Sequence, residues 1–187
     1  MTLPTTIREV YAKSTCLFSQ EDINQALDKM ATEIHNQLSE ENPILLSVMV
    51  GALIPAGHLL TRLDFPLELD YIHATRYQGK IRGSELVWKV EPRTNMQGRT
   101  VIVLDDILDQ GVTLAAIVDY CKAKGAKAVY TAVMVDKEHA RIDGGLPHAD
   151  FVGLKVDNHY VFGFGLDYKE YLRNAPGIYR VAPEHEK

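Results

Sequence analysis

The chain has 187 residues, 46% of them hydrophobic and 24% charged, with a formal net charge of −5. That length suits one domain with a substantial core, and the composition is that of an ordinary soluble protein. The acidic balance argues against a protein that coats nucleic acid or an anionic membrane. The longest apolar stretch, around 44–56, is broken by Ser47, Gly51 and Pro55 and is too short to span a bilayer. Cys16 and Cys121 lie far apart in no CxxC pattern, as free thiols of a reducing compartment would. The N-terminal stretch lacks the apolar core of a signal peptide, so a cytoplasmic location is expected.

Taken in order, Ser19 with Asp22 three residues on marks a helix start, with a shorter acid than a full capping box uses. Ile23, Ala26, Leu27, Met30, Ile34 and Leu38 then recur at helical spacing and form one apolar stripe, which Asn42-Pro43 ends. Residues 44–50 form a continuous apolar run of strand length, as in a strand buried on both faces. A glycine-bearing turn leads to a helix over 55–63 and a second strand over 67–74. Residues 77–98 differ: with Gly79, Lys80, Arg82, Gly83, Pro92 and Gly98 around a short LVWKV run, they read as a mobile excursion, a two-stranded ribbon projecting from the domain. A buried strand over 100–104 follows, then a helix over 113–124 closed by Gly125, and a strand over 129–135. Two shorter strands are expected over 151–156 and 160–163. This alternation predicts an α/β fold, a mostly parallel twisted sheet flanked by helices, with no repeat or linker dividing the chain.

The segment VIVLDDILDQGVTL, residues 101–114, carries the chemistry. In an open α/β sheet, ligands bind beyond the carboxyl ends of strands, which is where Asp105 and Asp106 are expected. Asp109, Gln110, Gly111, Val112 and Thr113 then lead into a helix. Such an entrance offers backbone N–H groups and partial positive charge, Gly111 permits close approach, and Thr113 adds a hydroxyl. Together these make a phosphate cradle. The acidic pair suits ribose hydroxyls or a Mg²⁺ ion held mostly through water. There is no GxxxxGK[ST] P-loop, and on spacing alone other doubly wound domains, such as receiver-like ones, share a strand ending in two aspartates.

The same stretch resembles the phosphoribosyl-pyrophosphate motif of type I phosphoribosyltransferases, in the form of the hypoxanthine-guanine branch. Met49-Val50-Gly51 stands where the family has its pyrophosphate loop. Asp136-Lys137 follows a strand, as does the family's purine-reading lysine. Asp150-Phe151-Val152-Gly153, Tyr160-Val161, Gly163, Leu166-Asp167-Tyr168 and Arg173 follow in the family's order. His73-Ala74-Thr75-Arg76-Tyr77 and the stretch from Gly83 to Lys89 resemble proteobacterial members. The resemblance runs from about Cys16 to Val181.

It implies one phosphoribosyltransferase domain over 1–187, with a mobile lid over about 76–98 and a small hood from the N-terminal residues and about 150–187. It implies purine salvage: Mg²⁺-dependent transfer of the 5-phosphoribosyl group from 5-phosphoribosyl-1-pyrophosphate to hypoxanthine or guanine, giving IMP or GMP. Asp109 would be the general base at N7 of the purine, although an aspartate there also fits a helix N-cap. Asp105 and Asp106 would hold the ribose, and the backbone from Asp109 through Gln110, Gly111 and Val112 to Thr113 the 5-phosphate. Lys137 would donate to the purine 6-oxo group, Tyr160 would stack on the base, and Val161 would present its backbone. Asp167 would face the purine and, with Asp105 and Asp106, serve as a metal ligand. Met49, Val50, Gly51 and Arg173 would bind pyrophosphate, and Arg76 and Tyr77 would stand at the lid. The family commonly forms homodimers or homotetramers; no nucleic acid or membrane partner is implied.

The chain departs from the family pattern in three places. Val50-Gly51-Ala52 offers no side-chain donor where Lys or Asn before Gly-Gly is common, so weaker pyrophosphate binding is expected, and a strained or cis peptide near Met49-Val50 is compatible. Gln110 and Val112 replace a Thr or acid and a Lys or His, which a backbone cradle tolerates. Arg76 replaces a Ser. Two other readings stay open, a regulatory protein that senses phosphoribosyl pyrophosphate on the same fold and a xanthine-preferring enzyme. Lys137 argues against adenine, whose 6-amino group is itself a donor.

Overall fold

The computed structural model describes residues 5–76 and 86–186, and the side chains of 6–74 and 87–186. Tyr77, the side chain of Arg76, and Gly79 and Gly83 of the expected lid lie outside the described residues.

The chain opens with helix α1 (Thr5–Lys13) and strand β1 (Thr15–Phe18). Helix α2 (Gln20–Leu38) starts where expected, and its cap is complete despite the short acid. Ser19 Oγ accepts from the Asp22 N–H at 3.2 Å, and the Asp22 carboxylate accepts from the Ser19 N–H at 2.8 Å. The helical stripe from Ile23 to Leu38 is buried; each such leucine or isoleucine stabilises the fold by roughly 1.5–3 kcal/mol. Met30 reaches the sheet because Gly153 is there: a Cβ at Gly153 would lie 2.7 Å from the Met134 carbonyl oxygen and 3.1 Å from Met30 Cε.

Strand β2 (Ile44–Val48) is buried throughout and ends two residues earlier than expected, at a cis Met49-Val50 peptide. Helix α3 (Leu53–Leu60) begins ahead of Pro55. Proline is tolerated there because first-turn N–H groups have no intrahelical partner. Strand β3 (Glu68–Arg76) follows, then β4 (Leu86–Val90), β5 (Thr100–Leu108), helix α4 (Val112–Ala123), β6 (Ala128–Lys137) and β7 (Phe151–Val156).

These strands form one six-stranded sheet in the order β4-β3-β2-β5-β6-β7. All neighbours are parallel except the edge pair β3 and β4. The chain moves outward from β2 to β3 on one side and from β5 to β6 and β7 on the other. The order therefore reverses between β2 and β5, which makes the crevice beyond their carboxyl ends the natural ligand site. Right-handed crossovers in opposite directions put α3 and α4 on opposite faces. α2 packs with α3 and against β7.

Two expectations are corrected here. Residues 86–90 do not project as a ribbon: they are the sheet's edge strand, and Trp88 lies on Tyr120 with ring centroids 4.8 Å apart. The chain after β4 is tied down as well, because the buried Asp70 carboxylate accepts from the N–H groups of Arg93 at 2.7 Å and Thr94 at 2.8 Å. Phe151–Val156, assigned to the hood, belongs to the central sheet beside β6. A separate antiparallel sheet, β1-β9-β8, is built from β1, β8 (Val161–Phe162) and β9 (Ile178–Arg180). It has its own small core of Ile7, Val10, Phe162, Tyr168, Ala175 and Val181, with Phe162 stacked on Tyr179 at 5.4 Å.

Candidate active site

β5 does not stop at Leu104. It continues through Asp105 and Asp106 to Leu108, paired with β6 as far as Leu108 and Asp136. The acids are therefore strand residues with fixed directions rather than members of a turn. Asp109, Gln110 and Gly111 then make a tight link into α4. Gly111 is the N-cap, at φ 83°, with no side-chain cap bond. The Asp109 side chain is thus not the helix cap. A Cβ on Gly111 would lie 2.6 Å from both backbone N and O of Leu146, so shape and φ both demand glycine.

Two adjoining cavities open at this end of the sheet. The first, of about 310 Å³, is lined by Met49-Val50-Gly51, the stretch from Asp105 to Gly111, Thr113, Asp167 and Arg173. The second, of about 250 Å³, is lined by Lys137, Tyr160, Val161 and Leu166. Asp106, Ile107, Asp109 and Asp167 line both. The turn after β2, β5 with the entrance of α4, the end of β6 and the stretch from Tyr160 through β8 to Arg173 thus bring together every proposed site residue described with its side chain except Val112. Val112 sits in the first turn of α4 and lines neither cavity.

The first cavity is strongly charged. Arg173 Nη2 lies 2.8 Å from Asp167 Oδ1 and 3.6 Å from Glu170, Nη1 lies 3.8 Å from Asp106 Oδ2, and Nη1 donates to the Gly165 carbonyl at 2.7 Å. The arginine expected at pyrophosphate is therefore paired with carboxylates in this state. Burial, and then the neighbouring Asp106 charge, holds the Asp105 carboxyl well above its ordinary range. Burial raises Asp106 too, against a hydrogen bond from Asp105 and the charge of Arg173. Gly51 gives Asp106 its room, since a Cβ there would overlap the carboxylate.

In the second cavity, Lys137 Nζ lies 3.4 Å from Asp109 Oδ2. Tyr160 is exposed at the cavity and edge-on to Tyr168 at 5.5 Å, and partial burial pushes its hydroxyl up from the ordinary range. Among the described residues no three His, Cys, Asp or Glu side chains converge as a ready metal cage. A Mg²⁺ ion still fits the donor set, because Mg²⁺ keeps several waters and takes one or two carboxylates plus ligand oxygens. The largely enclosed carboxyls of Asp105 and Asp106 carry such donors.

A phosphoribosyl transferase domain profile matches residues 16–169. The chain belongs to the phosphoribosyl transferase family. Among curated proteins, a hypoxanthine-guanine-xanthine phosphoribosyltransferase of Tritrichomonas foetus is 31% identical over 162 residues, covering 87% of this chain and 88% of that one. A hypoxanthine-guanine phosphoribosyltransferase of Streptococcus thermophilus is 34% identical over 163 residues, covering 87% and 89%. Among solved structures, a hypoxanthine-guanine phosphoribosyltransferase of Bacillus anthracis superposes with a TM-score of 0.83 at 26% identity, covering 90% of this chain and 98% of that one.

One residue beside these cavities escapes sequence reasoning. Arg141, in the loop between β6 and β7, donates from Nη1 to the carbonyls of Leu108 at 2.8 Å, Asp109, and Lys137 at 3.0 Å. Its Nη2 pairs with the Asp136 carboxylate, and its Nε donates to the Pro147 carbonyl at 3.3 Å. Its partners are mostly backbone atoms, which leave no mark in a sequence. Its spacing of four residues from Lys137 is the only available hint.

Proposed function

We propose that the protein transfers the 5-phosphoribosyl group from 5-phosphoribosyl-1-pyrophosphate to hypoxanthine or guanine, with Mg²⁺. The observation that carries this reading is the pair of adjoining cavities that share Asp106, Asp109 and Asp167. One ends at a helix N-terminus suited to a phosphate, the other at a lysine and an exposed aromatic suited to an oxopurine.

In the first cavity, backbone N–H groups of the α4 entrance and the Thr113 hydroxyl hold the 5-phosphate. Asp105 and Asp106 accept from the ribose hydroxyls. The Met49–Gly51 backbone and Arg173 hold the pyrophosphate; Arg173 first leaves Asp167 or shares it. Asp105, Asp106 and Asp167 would hold Mg²⁺, which when bound neutralises charge on the leaving pyrophosphate.

In the second cavity, Tyr160 stacks on the base, the Val161 backbone meets its edge, and Lys137 donates to O6. O6 and N7 are neighbouring atoms on one purine edge. The adjacent Lys137 ammonium and Asp109 carboxylate match that edge, the first facing O6 and the second taking the N7 proton. As N9 bonds to C1 of the ribose, the C1–O bond to pyrophosphate breaks and the pyrophosphate leaves with that electron pair. Enclosure is needed, because water would intercept the cationic ribose.

The test is direct. Purified protein, Mg²⁺ and phosphoribosyl pyrophosphate are offered hypoxanthine, guanine, xanthine and adenine, and nucleotide formation is followed by absorbance. Product is expected with hypoxanthine and guanine and not with adenine. No product from any base would remove the enzyme reading and favour a ligand sensor; product from xanthine alone would move the substrate to that base. Self-association belongs to the same reading, supported by Val50, Leu53, Leu69 and Tyr71 exposed near one apolar groove. Sedimentation velocity at micromolar concentration tests it, a monomer being the contrary result. The two unbridged cysteines, Cys16 and Cys121, support a cytoplasmic site of action.

A further inference from the structure

A loop that turns its N–H groups toward a bound anion must turn its carbonyls the other way. Each of those carbonyls then needs a donor behind the loop. Here four consecutive carbonyls, those of Leu108, Asp109, Gln110 and Gly111, each meet a donor from residues 141–146, and Gly111 takes a helical bond as well. Arg141 Nη1 serves Leu108 and Asp109. The Ile142 N–H approaches Gln110 O at 3.5 Å, and the Leu146 N–H serves Gly111 O at 3.0 Å, alongside the Ala115 N–H at 2.9 Å. The fit is close: a Cβ on Gly145 would overlap the Gln110 carbonyl. The same Nη1 also holds the carbonyl of Lys137, and Nη2 is anchored by Asp136, the residue before it.

We propose that Arg141 is a positioning residue that locks the 108–111 loop to the end of β6. It thereby fixes the phosphate-facing N–H groups, the Asp109 carboxylate and the Lys137 ammonium relative to one another. The planar guanidinium suits this task, because its rigid fork spans several acceptors at once. A lysine would keep the charge beside Asp136 but not the span. Its hydrogen bonds to cavity-lining residues go to their backbone carbonyls, so its effect on chemistry is indirect. The proposal rests on the phosphoribosyl-transfer reading only for what the loop binds; the brace itself is independent of the purine.

The experiment compares wild type, Arg141→Lys and Arg141→Ala, the last with and without guanidinium chloride at low millimolar concentration. Calorimetry with ribose 5-phosphate reads the loop, steady-state kinetics with hypoxanthine and phosphoribosyl pyrophosphate reads the alignment, and thermal melts read the fold. Arg141→Ala is expected to weaken ribose 5-phosphate roughly tenfold. It should lower kcat by about a hundredfold, the cost of a displacement near 1 Å. Guanidinium should restore part of both, and Arg141→Lys should keep the melting temperature while recovering little kcat. Affinity and kcat within about twofold of wild type in both variants would overturn the proposal. So would a loss that guanidinium does not relieve and that tracks the melting temperature alone. If Arg141→Ala does not fold, the decision passes to Arg141→Lys: intact melting with wild-type kcat and affinity overturns the brace. If wild type binds ribose 5-phosphate but forms no nucleotide, the enzyme reading fails, and the ribose 5-phosphate affinities alone decide for or against Arg141.

Discussion

The Lys137 ammonium stands 3.4 Å from the Asp109 carboxylate, although the two are carried by different segments, one by the last residue of β6 and the other by the loop after β5. Lys137 is nearly buried and Asp109 half-exposed, at 13% and 47% of their side-chain surfaces. The lysine is thus held within the protein while the carboxylate faces the cavity. Asp109→Asn keeps the shape and removes the proton acceptor. It should lower kcat by about a hundredfold or more, within the range for a lost general base. Affinity for phosphoribosyl pyrophosphate should change little. Single-turnover kinetics beside equilibrium binding separates the two, and unchanged kcat removes Asp109 as the base.

Because the two side chains touch, their variants should not be independent. Lys137→Gln is expected to cost roughly tenfold in kcat/KM for hypoxanthine, the worth of one charged hydrogen bond. It should also narrow the gap between hypoxanthine and adenine, since the amide can accept as well as donate. Combined with Asp109→Asn it should cost less than the product of the two single effects, as for residues acting as a unit. Strict multiplicativity in a double-mutant cycle would show that the pair does not work on one purine edge.

Much of this arrangement was legible in the sequence, and what was missed has a common cause. The Ile23–Leu38 stripe and the buried runs of β2 and β5 follow from local periodicity, because burial against one surface imposes a repeat on neighbouring residues. The cap by Ser19 and the turn at Gly111 are equally local. α1, β1 and β9 were not legible. They are short, and β1 exists through pairing with β9, more than 150 residues further on by the register of Thr15 with Arg180. The LVWKV run read as a ribbon because nothing in its own residues says that Tyr120 waits beside Trp88. Arg141 was invisible because it speaks to carbonyls. The residues that line the two cavities were legible because their types are dictated by chemistry rather than by packing.

The acidic pair predicts a pH dependence. Both carboxyls are raised above their ordinary values, chiefly by burial. A raised carboxyl stabilises the fold below the ordinary carboxylate range, and that contribution is lost as pH rises through the raised value. Above it the fold holds two ionised neighbours with Arg173 as a partial counter-charge. Ligands that donate hydroxyls or bring a cation prefer the ionised pair. Binding of Mg²⁺ with phosphoribosyl pyrophosphate should therefore release protons and tighten as pH rises through the raised range of the pair. Calorimetry in two buffers of different ionisation enthalpy reads that release directly; flat affinity with no proton release contradicts it. By the same reasoning Asp105→Asn should raise stability at neutral pH by about 1 kcal/mol while abolishing tight ligand binding, as happens when a strained functional group is removed. A lower melting temperature would refute that sign.

Gly51 and Gly111 both line the first cavity, yet alanine should act on them in opposite ways. At Gly51 the new Cβ meets the Asp106 carboxylate, the movable end of a side chain. That carboxylate can turn aside, so Gly51→Ala should fold with little change in melting temperature. It should lose ligand affinity, because Asp106 leaves the wall shared by the two cavities. At Gly111 the Cβ meets the backbone of Leu146 at 2.6 Å, and φ is 83°. Neither the loop nor residues 145–146 can yield without breaking the bonds behind the phosphate-facing N–H groups. Gly111→Ala should therefore destabilise the protein by about 1–3 kcal/mol, the cost of a residue held in a disfavoured backbone region with a clash. Thermal melts and ribose 5-phosphate titrations on both variants give the comparison. If Gly51→Ala unfolds while Gly111→Ala melts like wild type, the division between a movable side chain and a fixed backbone is wrong. The acidic wall would then be the rigid part of the site and the phosphate loop the adaptable one.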